Sequence, residues 1–214
     1  PPRLYVAADG ARATKSGEAE RCAETRAIVS AVDWPCEVKT LLRDSNLGCK
    51  RAVSSAIDWF FENEPEGIVL EDDTVPLPSF FDYADALLQH YRGDERVMMV
   101  NGCNLISHRY RAPHSYFLSG HAHVWGWASW RRAWRHYDVT ISDWPEVRRG
   151  GQLESTAIGS RLQWRWVWHP VYDALHDGLI DTWDYQWTYA ILKQAGLTAT
   201  PRTSLVRNIG FEIG

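Results

Sequence analysis

The sequence predicts an α/β protein with a mostly parallel central sheet flanked by helices, and three observations carry that expectation. Short, mainly apolar runs recur through the first half of the chain, each closed by polar or glycine residues. Between them lie stretches whose apolar residues fall on one helical face. Strands that are apolar throughout, alternating with helices, are the pattern of parallel strands covered on both faces.

The elements follow in order. Leu4 to Ala8 is a strand that stops at Asp9-Gly10, and Glu18 to Val32 is a helix with Thr25, Ile28, Val29 and Val32 on its inward face. Cys36 to Leu42 is the second strand, ending in the polar run from Arg43 through Asn46 to Gly48. Lys50 to Glu62 is a helix with Val53, Ala56, Ile57 and Phe60 at face spacing. The third strand, Gly67 to Leu70, runs into Glu71-Asp72-Asp73. Ser79 with Asp82 then reads as a capping box, opening a helix that carries Phe80, Ala84, Leu87 and Leu88. Val97 to Val100 is the fourth strand, closed by Asn101-Gly102. The second half is less regular: a Trp- and Arg-rich stretch from His121 to Tyr137, a helix from Ser160 to His176, and a helix from Asp184 to Ala195 stopped by Gly196. With no repeat or linker, residues 1–214 are expected to form one domain with halves 1–104 and 105–214.

Composition narrows the function classes. Hydrophobic residues at 45% and charged residues at 23% exclude a disordered chain. A formal net charge of -4 offers no overall basic field for nucleic acid or an anionic membrane. No apolar run reaches the roughly 18–20 residues of a membrane span, and Pro1 to Val6 lacks the regions of a signal peptide. The expectation is a cytoplasmic protein without a transmembrane segment, compatible with peripheral contact at the inner face of a membrane. Cys22, Cys36, Cys49 and Cys103 form no C-x-x-C pair and read as scattered small core residues of a reducing compartment. Ten of the 12 Trp fall between Trp125 and Trp187, which gives the second half its own character.

Glu71-Asp72-Asp73 is the sharpest chemical signal. Three adjacent carboxylates at the end of a buried strand repel one another unless a cation offsets them, and a hard Mg²⁺ or Mn²⁺ ion shared with substrate phosphates would do so. A solvated acidic turn is the alternative. Lys50 and Arg51 open a helix where the macrodipole disfavours cations, a conflict that a bound diphosphate would relieve; two solvated basic residues are the plain alternative. Asp9 is either a turn residue or an acceptor for a base or ribose. Asp184 opens a helix among Trp183, Tyr185 and Trp187, as an N-cap or as a general base whose basicity depends on the aromatic cage. Trp125, Trp127 and Trp130 around Gly126 suit either core packing or stacking on sugar faces. His121-x-His123 lacks an H-E-x-x-H pattern or a cysteine partner, so zinc is not expected.

This combination resembles the GT-A nucleotide-sugar glycosyltransferases, most of all the N-acetylglucosaminyltransferases that start complex N-glycan antennae and their bacterial nucleotide-diphospho-sugar transferase relatives. The likeness rests on Ala7-Ala8-Asp9-Gly10, the run Arg43 to Gly48, and Val69-Leu70-Glu71-Asp72-Asp73 followed by Pro78-x-Phe80-Phe81. It continues through Gly126-Trp127-Ala128-Ser129-Trp130 to Trp183-Asp184. The resemblance implies a GT-A domain whose first half, 1–104, binds nucleotide and metal and whose second half, 105–214, binds the acceptor. It implies Asp73 as ligand to Mn²⁺ or Mg²⁺, and Asp9, Arg43, Asn46, Gly48, Lys50, Arg51, Glu71 and Asp72 around the nucleotide sugar. Trp125, Gly126, Trp127 and Trp183 would face the acceptor and sugar, and Asp184 would be the catalytic base. The expected activity is metal-dependent, inverting transfer of a hexose from a UDP-sugar, with N-acetylglucosamine the leading donor sugar, to a glycan or glycolipid acceptor. Lack of a membrane anchor at the start points to a bacterial cytosolic enzyme, and the run Asn208 to Gly214 stops where relatives continue. A sugar-1-phosphate nucleotidyltransferase is a rival, but Gly10 to Gly17 lacks its G-x-G-T-R signature. A Trp-rich carbohydrate-binding domain is another, and it has no need of Glu71-Asp72-Asp73.

Overall fold

The computed structural model describes residues 1–110, 112–156 and 161–210. Ser160, the expected start of a helix, and the tail Phe211 to Gly214 lie outside the described residues, as does the side chain of Trp164. The chain divides into two compact units: residues 1–60 with 181–183 form unit 1, and residues 61–180 with 184–214 form unit 2.

Unit 1 begins with β1 (Arg3–Ala8), α1 (Glu18–Val29) and β2 (Glu37–Leu42), and α2 (Gly48–Asn63) follows, its last turn belonging to unit 2. β1 and β2 pair in parallel, from Arg3 opposite Glu37 to Ala8 opposite Leu42. Tyr5 on β1 meets Trp59 and Phe60 of α2 edge-on at 5.0 and 5.1 Å, and Lys39 Nζ donates to the Tyr5 hydroxyl at 2.9 Å. The expected helix from Glu18 to Val32 ends at Val29, which leaves Val32 outside it, and the expected apolar face is not buried. That helix buries none of its residues, and Ile28 is 73% exposed.

Unit 2 continues with β3 (Glu66–Val69), β4 (Thr74–Pro76), α3 (Pro78–His90), β5 (Val97–Asn101), β6 (Tyr116–Ser119) and β7 (Trp127–Trp130). Helices α4 (Arg131–Trp134), α5 (Trp144–Gly150), α6 (Gln152–Thr156), α7 (Arg161–His176) and α8 (Asp184–Lys193) come next, then β8 (Leu197–Pro201) and β9 (Val206–Asn208). The main sheet has the order β3-β7-β5-β8-β6, and β4 pairs antiparallel with β9. Only β5 and β8 run parallel in the main sheet. The expectation of a mostly parallel sheet is therefore corrected: the sheet is mixed, because β7 inserts antiparallel between β3 and β5. The broad class, α/β with helices packed on a sheet, stands.

Two cores hold unit 2. Phe80, Ala84 and Leu88 of α3 pack with Val100, Ala128 and Trp130 against the sheet. Ile141, Trp144, Tyr172 and Leu175 join α5, α7 and α8 in a second, helical cluster. Helix α3 starts differently from the expected capping box. Leu77 occupies the cap position without a side-chain cap bond and Pro78 opens the helix, so Ser79 sits inside the first turn. The four cysteines are free, but only Cys103 is buried, which corrects the picture of four small core residues. Among the described residues no helix is long and apolar enough to cross a membrane.

Candidate functional site

In unit 1 the site residues gather at the start of α2. Asp9, at the end of β1, accepts hydrogen bonds from the amides of Leu47 (2.9 Å) and Gly48 (3.2 Å) and from Asn46 Nδ2 (2.9 Å). Asp181 Oδ1 accepts from the Lys50 amide at 3.1 Å. Gly48 makes this possible: its φ of +78° is the left-handed conformation that glycine tolerates, and a Cβ there would lie 2.8 Å from Asp181 Oδ2. Two of the protein's own carboxylates thus occupy the helix start that sequence alone offers to a diphosphate. Arg43 donates to Ser55 Oγ at 2.9 Å, bracing the loop on the helix. Among the described contacts the side chains of Lys50 and Arg51 have no hydrogen-bond or ion-pair partner, so both cations remain available to an anion.

In unit 2 the acidic run follows β3 as a tight turn. The Thr74 amide and hydroxyl both donate to the Glu71 carbonyl, at 3.1 and 2.8 Å, and the Glu71 amide donates back to Thr74 Oγ1 at 3.0 Å. The end of β9 clasps this turn: the Ile209 amide donates to the Asp73 carbonyl at 2.8 Å, and Asn208 Nδ2 donates to Asp73 Oδ2 at 3.1 Å. Asp72 is exposed. Among the described residues no three His, Cys, Asp or Glu side chains gather to hold a metal ion, so no protein-built cage exists there. A Mg²⁺ or Mn²⁺ ion shared with substrate phosphates needs only one or two protein carboxylates. Asp73 fits that demand, being oriented by a neutral amide with no Lys or Arg partner among the described contacts.

Asp184 lies elsewhere in unit 2, in the first turn of α8, where the helix dipole favours a carboxylate. It lines a cleft of about 340 Å³ together with Trp125, Trp168, Tyr185, His123 and Thr188. Trp168 meets Tyr185 edge-on at 6.0 Å and stacks on Tyr172 at 5.9 Å, which fixes one aromatic wall. Beneath the cleft runs a buried polar ladder. Asn101 Nδ2 donates to the His121 carbonyl (3.0 Å) and to Thr200 Oγ1 (2.8 Å), and its Oδ1 accepts from the His123 amide (3.2 Å). Asn101 therefore pins the backbone of residues 121–123. Burial, reinforced by His121, holds the His123 imidazole down at about 4, so it is neutral near pH 7. Burial pushes the Cys103 thiol up to about 11 despite the hydrogen bond from the Trp125 amide, which leaves it an inert thiol.

Three residues of the sequence-based site have other duties. Trp127 is fully buried in β7, with Trp187 and Trp134 at 5.9 and 6.0 Å, so its indole face is core and cannot serve as an open platform. Trp183 is likewise buried. Gly126, at φ +64°, permits close packing, since a Cβ there would fall 2.7 Å from Val206 Cγ2; its carbonyl accepts from the Gly102 amide at 2.7 Å. Of the aromatic cage expected around Asp184, Tyr185 lines the cleft and Trp183 and Trp187 are not among its described lining residues; sequence reasoning missed Trp168, His123 and Thr188. The signal for Thr188 was present, because it lies one helical turn beyond Asp184. Comparison with protein-family models and with curated proteins finds no match for this chain.

Proposed function

We propose that the chain is a GT-A-type, metal-dependent inverting glycosyltransferase that moves a hexose from a nucleotide diphosphate to an acceptor hydroxyl of a glycan or glycoconjugate. UDP-N-acetylglucosamine is the leading donor, by the resemblance of the motifs. The observation that carries this reading is the setting of Asp184: a carboxylate in the first turn of α8 facing a cleft walled by Trp125, Trp168 and Tyr185. The alternative carboxylates, Asp181 and Asp143, are not among the described lining residues of this cleft. Asp181 caps the Lys50 amide, and Asp143 accepts from the Tyr189 hydroxyl at 2.7 Å and from Lys193 Nζ.

In the proposed step the Asp184 carboxylate takes the proton of the acceptor hydroxyl while that oxygen attacks the anomeric carbon from the side opposite the diphosphate. The bond from the anomeric carbon to the diphosphate oxygen breaks, and the nucleoside diphosphate leaves. A bound Mg²⁺ or Mn²⁺ would supply neutralisation of the departing charge, with Asp73 as the residue to hold it. Lys50 and Arg51 are the proposed further cations for the nucleotide.

Replacing Asp184 by Asn keeps size and polarity but removes the base. Asp184→Asn should lower kcat by about a hundredfold or more with little change in donor affinity or melting temperature. An α-linked donor should give a β-linked product, read from the NMR coupling at the new anomeric centre. Full activity in Asp184→Asn, or retention of configuration, overturns the assignment.

A further inference from the structure

The cleft at Asp184 has a charge pattern that selects among ligands, and the selection does not depend on a nucleotide. Its walls combine three aromatic side chains, Trp125, Trp168 and Tyr185, with aliphatic surface from Leu105 and Val124. Among the described lining residues none is Lys or Arg, and Asp184 is the one carboxylate. The remaining polar groups are the Thr188 and Tyr185 hydroxyls, the Cys103 thiol and two imidazoles, the exposed His121 and the His123 ring that burial keeps neutral near pH 7.

We infer that this cleft is a binding site for an uncharged, polyhydroxylated ring with one apolar face, such as the terminal residue of a neutral glycoside, and that it rejects anionic sugars. This specifies the acceptor class of the proposed transferase and rests on that reading for the word acceptor alone. Two physical points support it. Aromatic walls offer dispersion and CH contact to the apolar face of a pyranose ring, while a carboxylate, a hydroxyl and a neutral imidazole offer hydrogen bonds to its rim. A carboxylated or phosphorylated ligand would lose hydration beside Asp184 with no lining Lys or Arg among the described residues to compensate, a condition under which burying a charge is unfavourable. The helix dipole at the start of α8 already offsets part of the Asp184 charge, so an ammonium ligand gains less than the bare carboxylate would provide. A volume of about 340 Å³ lies at the small end of the roughly 300–1,000 Å³ range of ligand pockets. The cleft therefore suits the end of an acceptor and not a long chain.

The test is ligand-observed saturation-transfer NMR on the whole chain without nucleotide or metal, using three probes: methyl N-acetyl-β-glucosaminide, methyl β-glucuronide and methyl β-glucosaminide. The neutral glycoside is expected to bind, with the glucuronide weaker by about tenfold or more and the amine within about threefold of the neutral probe. Asp184→Asn should narrow the gap between neutral and anionic probes to within about threefold. Trp125→Ala should abolish the neutral signal, with its fold checked by melting temperature. Equal or tighter binding of the glucuronide, a strong preference for the amine, an unchanged gap in Asp184→Asn, or no saturation of any probe overturns the inference. Transfer from nucleotide sugars is scored separately. Charge selection without transfer from any donor removes the transferase and leaves the cleft assigned, whereas transfer without charge selection does the reverse.

Discussion

In unit 1 the sheet is two strands wide and α1 buries none of its side chains, whereas in unit 2 five strands carry a core in which Phe80, Met99, Val100 and Ala128 are fully enclosed. What orders unit 1 is polar: Asp9 and Asp181 hold the loop and first turn of α2, and Arg26 donates to the Arg43 carbonyl. What orders unit 2 is mainly apolar, with polar side chains such as Asn101 hydrogen-bonded across it, here to Thr200 and His121. Hydrogen bonds contribute about 1 kcal/mol each after exchange with water, while a buried aromatic side chain contributes several. The difference teaches that Lys50 and Arg51, the cations proposed for the nucleotide, sit in the less deeply packed unit, and the aromatic cleft in the more deeply packed one. Flexible segments are commonly those with few buried apolar contacts.

Removal of a core aromatic is the largest perturbation this contrast predicts. Phe80→Ala should destabilise unit 2 by about 3–5 kcal/mol, because a fully buried ring at the meeting of α3 and the sheet leaves a cavity that the close-packed surroundings cannot fill. Native-state hydrogen exchange on the unaltered chain gives the complementary measurement. Amides of β5 and β7 should exchange only through global unfolding, and those of α1 through local openings of lower free energy. Equal protection in both regions would break the comparison.

A backbone substitution in unit 1 should have a middling effect. Gly48→Ala places a Cβ at positive φ and within 2.8 Å of Asp181 Oδ2, so both the loop conformation and the cap on Lys50 must shift. The expected loss is about 1–2 kcal/mol by denaturant unfolding, with the β1–β2 resonances perturbed more than those of unit 2. A neutral result would mean that the cap is dispensable.

Much of the first hundred residues was legible in the sequence because most of its strands hold apolar runs and α2 and α3 each have one apolar face, whereas α1 does not bury the face expected of it. The parallel pairing of β1 and β2 follows from that alternation. What escaped was the remainder of the sheet. Strand β7 reads Trp-Ala-Ser-Trp, and Ser129 interrupts the apolar run; in the fold its hydroxyl donates to the Met98 carbonyl at 2.6 Å, so a buried serine is satisfied by the neighbouring strand. Strand β8 reads Leu-Thr-Ala-Thr-Pro, and Thr198 and Thr200 are buried against Asn101 and Ser119. Hydroxyls paired across strands look like a loop to any pattern built on hydrophobicity, which is why the antiparallel insertion was missed and the sheet expected to be parallel. Within the site, local sequence marked Asp9, Asp73 and Asp184 as strand-end or helix-start carboxylates. That Asp9 turns inward to cap a loop depends on residues far along the chain, beyond the reach of spacing.

A smaller effect separates unit 2's polar devices from its core. Burial alone would raise the Asp138 carboxyl, but the amides and hydroxyls of Ser142 and Thr140 donate to it and hold it at about 2. A carboxyl whose folded pKa is depressed contributes stability that is complete above its unfolded value near 4 and is lost as pH falls toward 2. Asp138→Asn should remove that acid-sensitive part, about 1 kcal/mol after allowance for solvent screening, and flatten stability between about pH 4 and pH 2. An unchanged acid limb would assign the loss to other carboxyls.

The smallest expected change in stability accompanies the most specific change in binding. Lys50 and Arg51 begin α2, where the helix dipole disfavours cations by a few tenths of a kcal/mol, yet the carboxylates of Asp9 and Asp181 at the same helix start pull the other way. These opposing effects should nearly cancel, so the double variant Lys50→Gln with Arg51→Gln should unfold within about 0.5 kcal/mol of the unaltered chain. Nucleotide binding has no such cancellation. Asp9 and Asp181 already occupy the helix amides, so an incoming diphosphate must draw its attraction from side chains, and removal of both cations should weaken UDP binding by about tenfold or more in calorimetry with Mn²⁺ present. The effect should shrink as salt rises, since exposed charges are screened over about 10 Å at 0.1 M ionic strength. Unchanged UDP affinity with unchanged stability would make Lys50 and Arg51 solvated surface residues, and would leave the nucleotide half of the proposed function to the acidic turn at Asp73 alone.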